Sequence, residues 1–256
     1  MPALATAIRP TAEAWSSVVS GGVHSLCRED FQSTLVAAYA RHRWIYDALL
    51  EHPDSTILRG RRPVVAGRLG GVKLVVKRIH HGGLFASIGR DAFLTPSRAR
   101  AHVELADYLS SNGIATAPVV FTSWRRSRGF VRCEVGFEQI DGAVDADRYF
   151  FGPGAPPAEW EARAGDIGSL VARLHQIGFL HADLNLMNFL FTPDGETYIL
   201  DLDKSALPGA PPSRRERSRN LDRLERSIRK QGKNHLSWLV ESIIRQIRSS
   251  YQHALA

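Results

Sequence analysis

The chain has 256 residues, 44% hydrophobic and 23% charged, the make-up of an ordinary globular protein, which excludes a disordered or fibrous one. Lysine and arginine outnumber aspartate and glutamate by 33 to 26, a formal charge of +7, so the favoured partners are anionic: phosphates, nucleic acid or a lipid surface. The two cysteines, Cys27 and Cys133, lie too far apart to read as a zinc or redox pair, and a reducing cytoplasm is expected.

The first residues carry no basic cluster and meet Pro10 before an apolar leader can develop. No stretch approaches the ~18 uninterrupted apolar residues of a membrane span, so membrane contact is expected to be peripheral. Residues 1–53 read as a mostly helical extension, with Phe31, Leu35, Ala38, Tyr39 and Tyr46 near helical spacing. From 54 to 142 the texture is that of a small β-rich lobe. Short runs at 56–59, 63–66 and 73–77 are separated by glycines, the pattern of an antiparallel meander. Thr95 and Pro96 open a helix that stops at Gly113. Two further strands, at 117–124 and 129–138, are expected to be split by a basic loop, Arg125–Arg128.

The glycines and prolines of 142–157 predict a linker, followed by a mostly helical lobe over 143–256. Trp160, Ala164, Ile167, Leu170, Val171 and Leu174 mark a core helix with a stop at Gly178. A loop, His181–Asn188, leads into a hairpin of 189–191 and 197–203 around Pro193-Asp194-Gly195. An arginine-rich stretch, 212–233, precedes an amphipathic helix through Leu236, Leu239, Val240, Ile243, Ile244 and Ile247, whose stripe is expected to pack on the core rather than on a membrane.

The chemistry sits in His181-Ala-Asp183-Leu-Asn-Leu-Met-Asn188 and in Asp201, thirteen residues after the asparagine. This is the polar skeleton of a kinase catalytic loop followed by a metal-binding aspartate. Phosphoryl transfer needs an acidic group to orient the attacking hydroxyl and oxygen donors that hold magnesium against the nucleotide phosphates. Asp183 takes the first role, Asn188 and Asp201 the second, and His181 braces the loop. Lys77, on the third strand of the meander, is placed to meet the nonreacting phosphates, and Glu104 is the preferred helix residue to hold it as an ion pair. Gly60 stands in the hairpin expected to cover the phosphates. Glu138 and Ile140 supply backbone groups for the adenine.

No Walker loop, serine elbow or HExxH motif is present. Only 55 residues follow Asp201, too few for the peptide-docking lobe of a protein kinase, so a small or lipid-linked alcohol is the expected acceptor. The expected fold is α+β, a protein-kinase-like two-lobed arrangement with a β-rich N-lobe carrying one helix and a shortened helical C-lobe.

Over about residues 56–230 the sequence resembles the lipopolysaccharide kinase family, and within it the 3-deoxy-D-manno-octulosonic acid (Kdo) kinases. The likeness rests on Leu74–Leu84, Arg100–Glu104, His181–Leu190, Leu200–Asp203 and, most discriminating, Asn220–Lys230. The resemblance implies a cytoplasmic enzyme, peripheral on the inner membrane, that uses ATP and Mg2+ to phosphorylate the 4-hydroxyl of Kdo on a lipid A precursor. Asp183 would be its catalytic aspartate, and Asn188 and Asp201 its metal ligands. The arginines between Arg214 and Arg229, Arg223, Arg226 and Arg229 among them, are expected with the net charge to bring the protein to the anionic lipid, and nucleic acid is not an expected partner. A kinase for a heptose or an aminoglycoside-like alcohol, and a noncatalytic anion-binding module, are the alternatives.

Overall fold

The computed structural model describes residues 15–58, 63–79, 93–127, 129–153 and 158–256. The chain forms two compact units, one of residues up to Asp107 with Pro118–Gln139, the other of Tyr108–Ala117 with Ile140–Ala256.

The first unit is built on a seven-stranded antiparallel sheet. Its strands are β1 (Trp15–Ser20), β2 (Val23–Arg28), β3 (Thr56–Leu58), β4 (Val64–Leu69), β5 (Val72–Ile79), β6 (Val119–Ser127) and β7 (Phe130–Glu138). They are ordered β1-β2-β6-β7-β5-β4-β3. Two short helices, α1 (Gln32–Arg41) and α2 (Ile45–Leu50), cover one face. Phe31, Leu35, Tyr39, Ile45 and Leu49 pack there on Val23, Cys27, Val65, Leu74, Val76 and Phe121. Both cysteines are buried and reduced.

Two expectations need correction here. The mostly helical extension holds α1 and α2 but also β1 and β2, which lengthen the expected five-stranded sheet to seven. Val23, Ser25 and Cys27 do alternate inward, but serine and histidine between and among them weaken the period-2 hydrophobic signal. The basic loop is likewise absent as such. Arg125 and Arg126 are strand residues of β6, paired with Arg132 and Val131 of β7, because charged side chains at the end of a hairpin can reach water while the backbone ladder continues.

The second unit is mainly helical. The last turn of α3 (Ser97–Ser111) belongs to it, and α4 (Ala146–Phe151), α5 (Trp160–Gln176), α6 (Arg214–Gln231) and α7 (Ser237–Leu255) follow. A small sheet of β8 (Val144–Asp145), β9 (Phe189–Phe191) and β10 (Thr197–Ile199) runs in the order β10-β9-β8. The stretch read as a linker therefore contains a strand and a helix, and Asp145 caps that helix by accepting the amide of Arg148 at 2.8 Å. The arginine-rich stretch is α6, started by a capping box of Ser213 and Glu216.

The apolar stripe of α7 is core, as its spacing indicated: Leu239, Val240, Ile243, Ile244 and Ile247 are all buried, while Leu236 is exposed. The stripe meets α5 at Gly168. A methyl there would lie 2.3 Å from the Ile247 carbonyl oxygen, and neither helix backbone can yield without moving its neighbours. Gly168→Ala is expected to lower stability by about 2–3 kcal/mol through overpacking, against the small helix-propensity gain from alanine. An unchanged urea midpoint would show that the two helices separate without penalty.

Candidate active site

The loop between α5 and β9 holds its shape through its own side chains. His181 is 1% exposed. Its Nε2 lies 2.9 Å from the Leu200 carbonyl, and its Nδ1 accepts the Asp183 amide at 3.2 Å, so the proton belongs on Nε2. Asn185 bends the next turn, accepting the Met187 amide at 3.0 Å and donating to the Asp183 carbonyl at 2.9 Å. Asn188 donates through Nδ2 to that same carbonyl at 2.9 Å. Two side-chain amides thus hold the Asp183 peptide, while its carboxylate, 36% exposed, stands at the surface.

The second strand of the hairpin is tied to the loop. The Leu200 amide donates to the Asn188 carbonyl at 2.8 Å, and its carbonyl faces His181. On the other side Thr116 donates to the Ile199 carbonyl at 2.7 Å, and the Ile199 amide donates to Ala115 at 3.0 Å. β10 stops there, and Asp201 takes a left-handed backbone, φ 58°, a conformation that aspartate tolerates better than most residues and that marks strained turns at functional sites.

The oxygens of Asn188 and Asp201 suit a hard divalent cation. Magnesium commonly takes one or two protein oxygens and completes its shell with phosphates and water. The Asn188 Nδ2 is committed to the Asp183 carbonyl, which turns its Oδ1 the other way as an acceptor. Among the described residues no group of three or more His, Cys, Asp or Glu side chains gathers as a metal nest.

One face of α6 braces this loop. Asn220 donates to the His181 carbonyl at 2.8 Å, Arg223 to the Ala182 carbonyl at 2.8 Å, and the Ser227 hydroxyl accepts the Leu186 amide at 3.1 Å. These residues stand at i, i+3 and i+7, a single helical stripe. Ser205 adds a fourth tie by accepting the Ala182 amide at 3.1 Å. Behind Asn220, His175 of α5 pairs with the Asn220 Oδ1 at 3.1 Å and with the Tyr251 hydroxyl of α7 at 2.8 Å. Burial lowers the His175 pKa below its ordinary 6.5, so this relay runs through a neutral ring.

Sequence reasoning singled out residues 220–230 for family resemblance but not for this work. The available signal was polar residues at helical spacing among arginines. Of Arg223, Arg226 and Arg229, two also make contacts within the protein. Arg223 approaches the Asp183 Oδ1 at 3.4 Å, and Arg229 binds Glu241 at 2.9 Å. Arg226 alone of the three stays exposed without such a tie.

In the first unit Lys77 lies on β5, paired with Val135, its ammonium 5.5 Å from the Phe137 ring centre. Strand alternation points it away from the face that Leu74 and Val76 present to α1 and α2. The expected partner, Glu104, is a correction: it is exposed, with no ion-pair partner among the described residues. The register of α3 instead turns buried His102 toward the sheet, edge-on to Phe137 at 6.1 Å. A buried stripe of 102, 105, 106 and 109 leaves 104 on the solvent side.

Glu138, the expected adenine contact, is held on both sides. Its amide donates to Pro118 at 2.9 Å and its carboxylate accepts Arg28 at 3.0 Å, so that amide is already satisfied. Ile140 is half-buried at the start of the second unit. Gly60 lies outside the described residues. No helix among the described residues is long and apolar enough to cross a membrane.

Comparison with known proteins bears on what this braced loop belongs to. Residues 56–244 match the model of the lipopolysaccharide kinase (Kdo/WaaP) family. The chain is 31% identical over 223 residues to a 3-deoxy-D-manno-octulosonic acid kinase of Xanthomonas axonopodis pv. citri, covering 81% of this chain and 85% of that one. It is 32% identical over 223 residues to the kinase of the same name from Xanthomonas euvesicatoria pv. vesicatoria, with the same coverage. A third kinase of that name, from Xylella fastidiosa, is 30% identical over 183 residues, 70% of each chain. The matched span takes in the β-meander, most of the helical unit, the loop and the α6 stripe that holds it. With its sheet-rich first unit and helical second unit, an α+β build consistent with a kinase-like fold, the chain belongs to the lipopolysaccharide kinase (Kdo/WaaP) family.

Proposed function

We propose that this protein is an ATP- and Mg2+-dependent kinase that phosphorylates the Kdo sugar of a lipid A precursor, at its 4-hydroxyl. The observation that carries the reading is the braced loop, in which Asp183 presents a half-exposed carboxylate while two amides and the α6 stripe hold its backbone. A preorganised carboxylate is what orienting a sugar hydroxyl for in-line attack requires. Asn188 and Asp201 are the metal ligands in this reading, Lys77 serves the nonreacting phosphates, and backbone groups near Glu138 and Ile140 meet the adenine. The metal supplies charge neutralisation on the phosphates when bound. Glu104 has no part in it.

The relatives' printed names support the sugar, and the net charge of +7 supports a peripheral place on the anionic cytoplasmic face of the inner membrane. Arg214, Arg215, Arg219 and Arg226, all exposed on α6, are the cations for that surface.

The test is transfer of the labelled terminal phosphate of ATP to a Kdo-lipid A precursor, run beside a panel of soluble neutral sugars, heptoses and aminoglycosides. Transfer to the Kdo acceptor, with product analysis placing the phosphate on the 4-hydroxyl, is the expected result. Robust transfer to a heptose or aminoglycoside with none to Kdo would replace this acceptor with that one.

A further inference from the structure

The guanidinium of Arg223 stands beside the proposed catalytic carboxylate in a way that bracing alone does not require. Its Nη1 makes both of its contacts, to the Ala182 carbonyl at 2.8 Å and to the Asp183 Oδ1 at 3.4 Å. Neither contact uses the Nε–H and Nη2–H edge, and the side chain is 48% exposed. No hydrogen bond from that edge is made to the described residues. Arg229 of the same helix and Arg248 of α7 differ. Arg229 is locked through Nε, Nη1 and Nη2 onto Glu241 and Glu225, and Arg248 is locked onto Glu225 and Asp222. Arg223 is thus anchored at one corner and open along the edge that binds carboxylates in a two-pronged fashion.

We propose that Arg223 reads the carboxylate of the acceptor, so that Asp183 and Arg223 together form a two-point site for a hydroxy acid: hydroxyl on the aspartate, carboxylate on the arginine. The inference rests on the sugar-acid kinase reading above and names the residue that would select an acid over a neutral sugar. Asp183 presents a negative charge to the incoming acceptor, and an acidic sugar would be repelled by it. Arg223, within hydrogen-bond reach of that same charge, offsets the repulsion and converts it into a preference. Anchoring Nη1 on the loop also reduces the side-chain freedom lost when the acid binds. A lysine could supply the charge but not the fork.

The experiment compares two soluble acceptors that differ only in charge, the methyl glycoside of Kdo and the methyl ester of that glycoside, with wild type, Arg223→Gln and Arg223→Lys. Wild type is expected to favour the acid by about 30-fold or more in kcat/KM, the scale of a charge-assisted pair. Arg223→Gln lowers kcat on both acceptors by about 10-fold, because Asp183 loses its partner, but raises KM for the acid alone, so that the acid-to-ester ratio falls toward one. Arg223→Lys restores most of kcat and only part of that ratio. The ratio is the readout that a purely structural brace would not move, and thermal midpoints of the variants establish that they are folded.

A wild type with no preference for the acid overturns the inference while leaving the kinase reading intact. The same follows if both variants lose activity equally on acid and ester, which would make Arg223 a positioning residue only. A wild type that phosphorylates neither glycoside nor the Kdo-lipid A precursor overturns the kinase reading, and the inference with it.

Discussion

Asp183→Asn is expected to lower kcat on the Kdo-lipid acceptor by about 10³-fold or more, while the dissociation constant of the nucleotide stays within about threefold. The substitution preserves size and keeps an oxygen for the Arg223 Nη1. The loop is shaped by backbone and amide contacts that do not use the Asp183 carboxylate, so its fold should survive. What disappears is the negative charge that, in the proposed function, orients the attacking hydroxyl. A rapid-quench measurement of the chemical step, with nucleotide binding followed separately, distinguishes this from loss of binding. Turnover within tenfold of wild type would mean that another group orients the hydroxyl, and the assignment of the loop would fail.

Glu134→Ala is expected to destabilise the protein by about 3–5 kcal/mol, a fall in the thermal midpoint of about 10 °C. Glu134 is fully buried on β7. Its carboxylate accepts the Tyr39 hydroxyl at 2.6 Å and the first two amides of α2, from Ile45 at 2.9 Å and Tyr46 at 3.0 Å. Trp44, at the N-cap of α2, offers no side-chain cap, so a residue almost ninety positions away does that task. Alanine leaves two helix amides and a tyrosine hydroxyl without an acceptor in a dry layer. A midpoint within 3 °C of wild type would show that water enters and replaces the carboxylate.

The same group carries a pH signature. Burial pushes the Glu134 carboxyl above its ordinary 4.5, against the pull of its three donors and of Arg78. A carboxyl raised on folding contributes most stability below its unfolded value and loses that contribution as pH rises through its folded one. The urea midpoint of wild type, relative to Glu134→Gln, should therefore decline as pH rises from 4 through that range. Parallel curves would show that the carboxyl does not titrate differently on folding.

Much of the helical unit was legible because its signals are local. The six-residue stripe of α5, the glycine stop at Gly178 with φ 84° and the Pro-Asp-Gly turn each fall within one element or turn. β1 and β2 escaped because short strands with serine and histidine resemble loops until a neighbour supplies the ladder. Here β6 pairs with β2 from almost a hundred residues later. Glu104 failed for a different reason. A helix can present any face, and only packing of His102 against Phe137 set which one α3 turned to the sheet.

The candidate site divides along the same line. The proposal of Asp183, Asn188 and Asp201 rests on spacing alone, since a short loop and the hairpin after it keep them close along the chain. The α6 stripe could not be assigned its role in that way. Asn220, Arg223 and Ser227 looked like members of a basic surface, and only the packing of α6 on the loop made them its brace.

The order of residues along the chain determined the kinase-type loop, the alternation of strands and helices and the excess of positive charge, because these follow from neighbours a few positions apart. Tertiary structure alone decided that Glu134 caps α2, that Glu104 faces water and that Arg223 stands at Asp183. Those outcomes depend on which distant surfaces exclude water together, and burial of that kind is a property of the assembled fold.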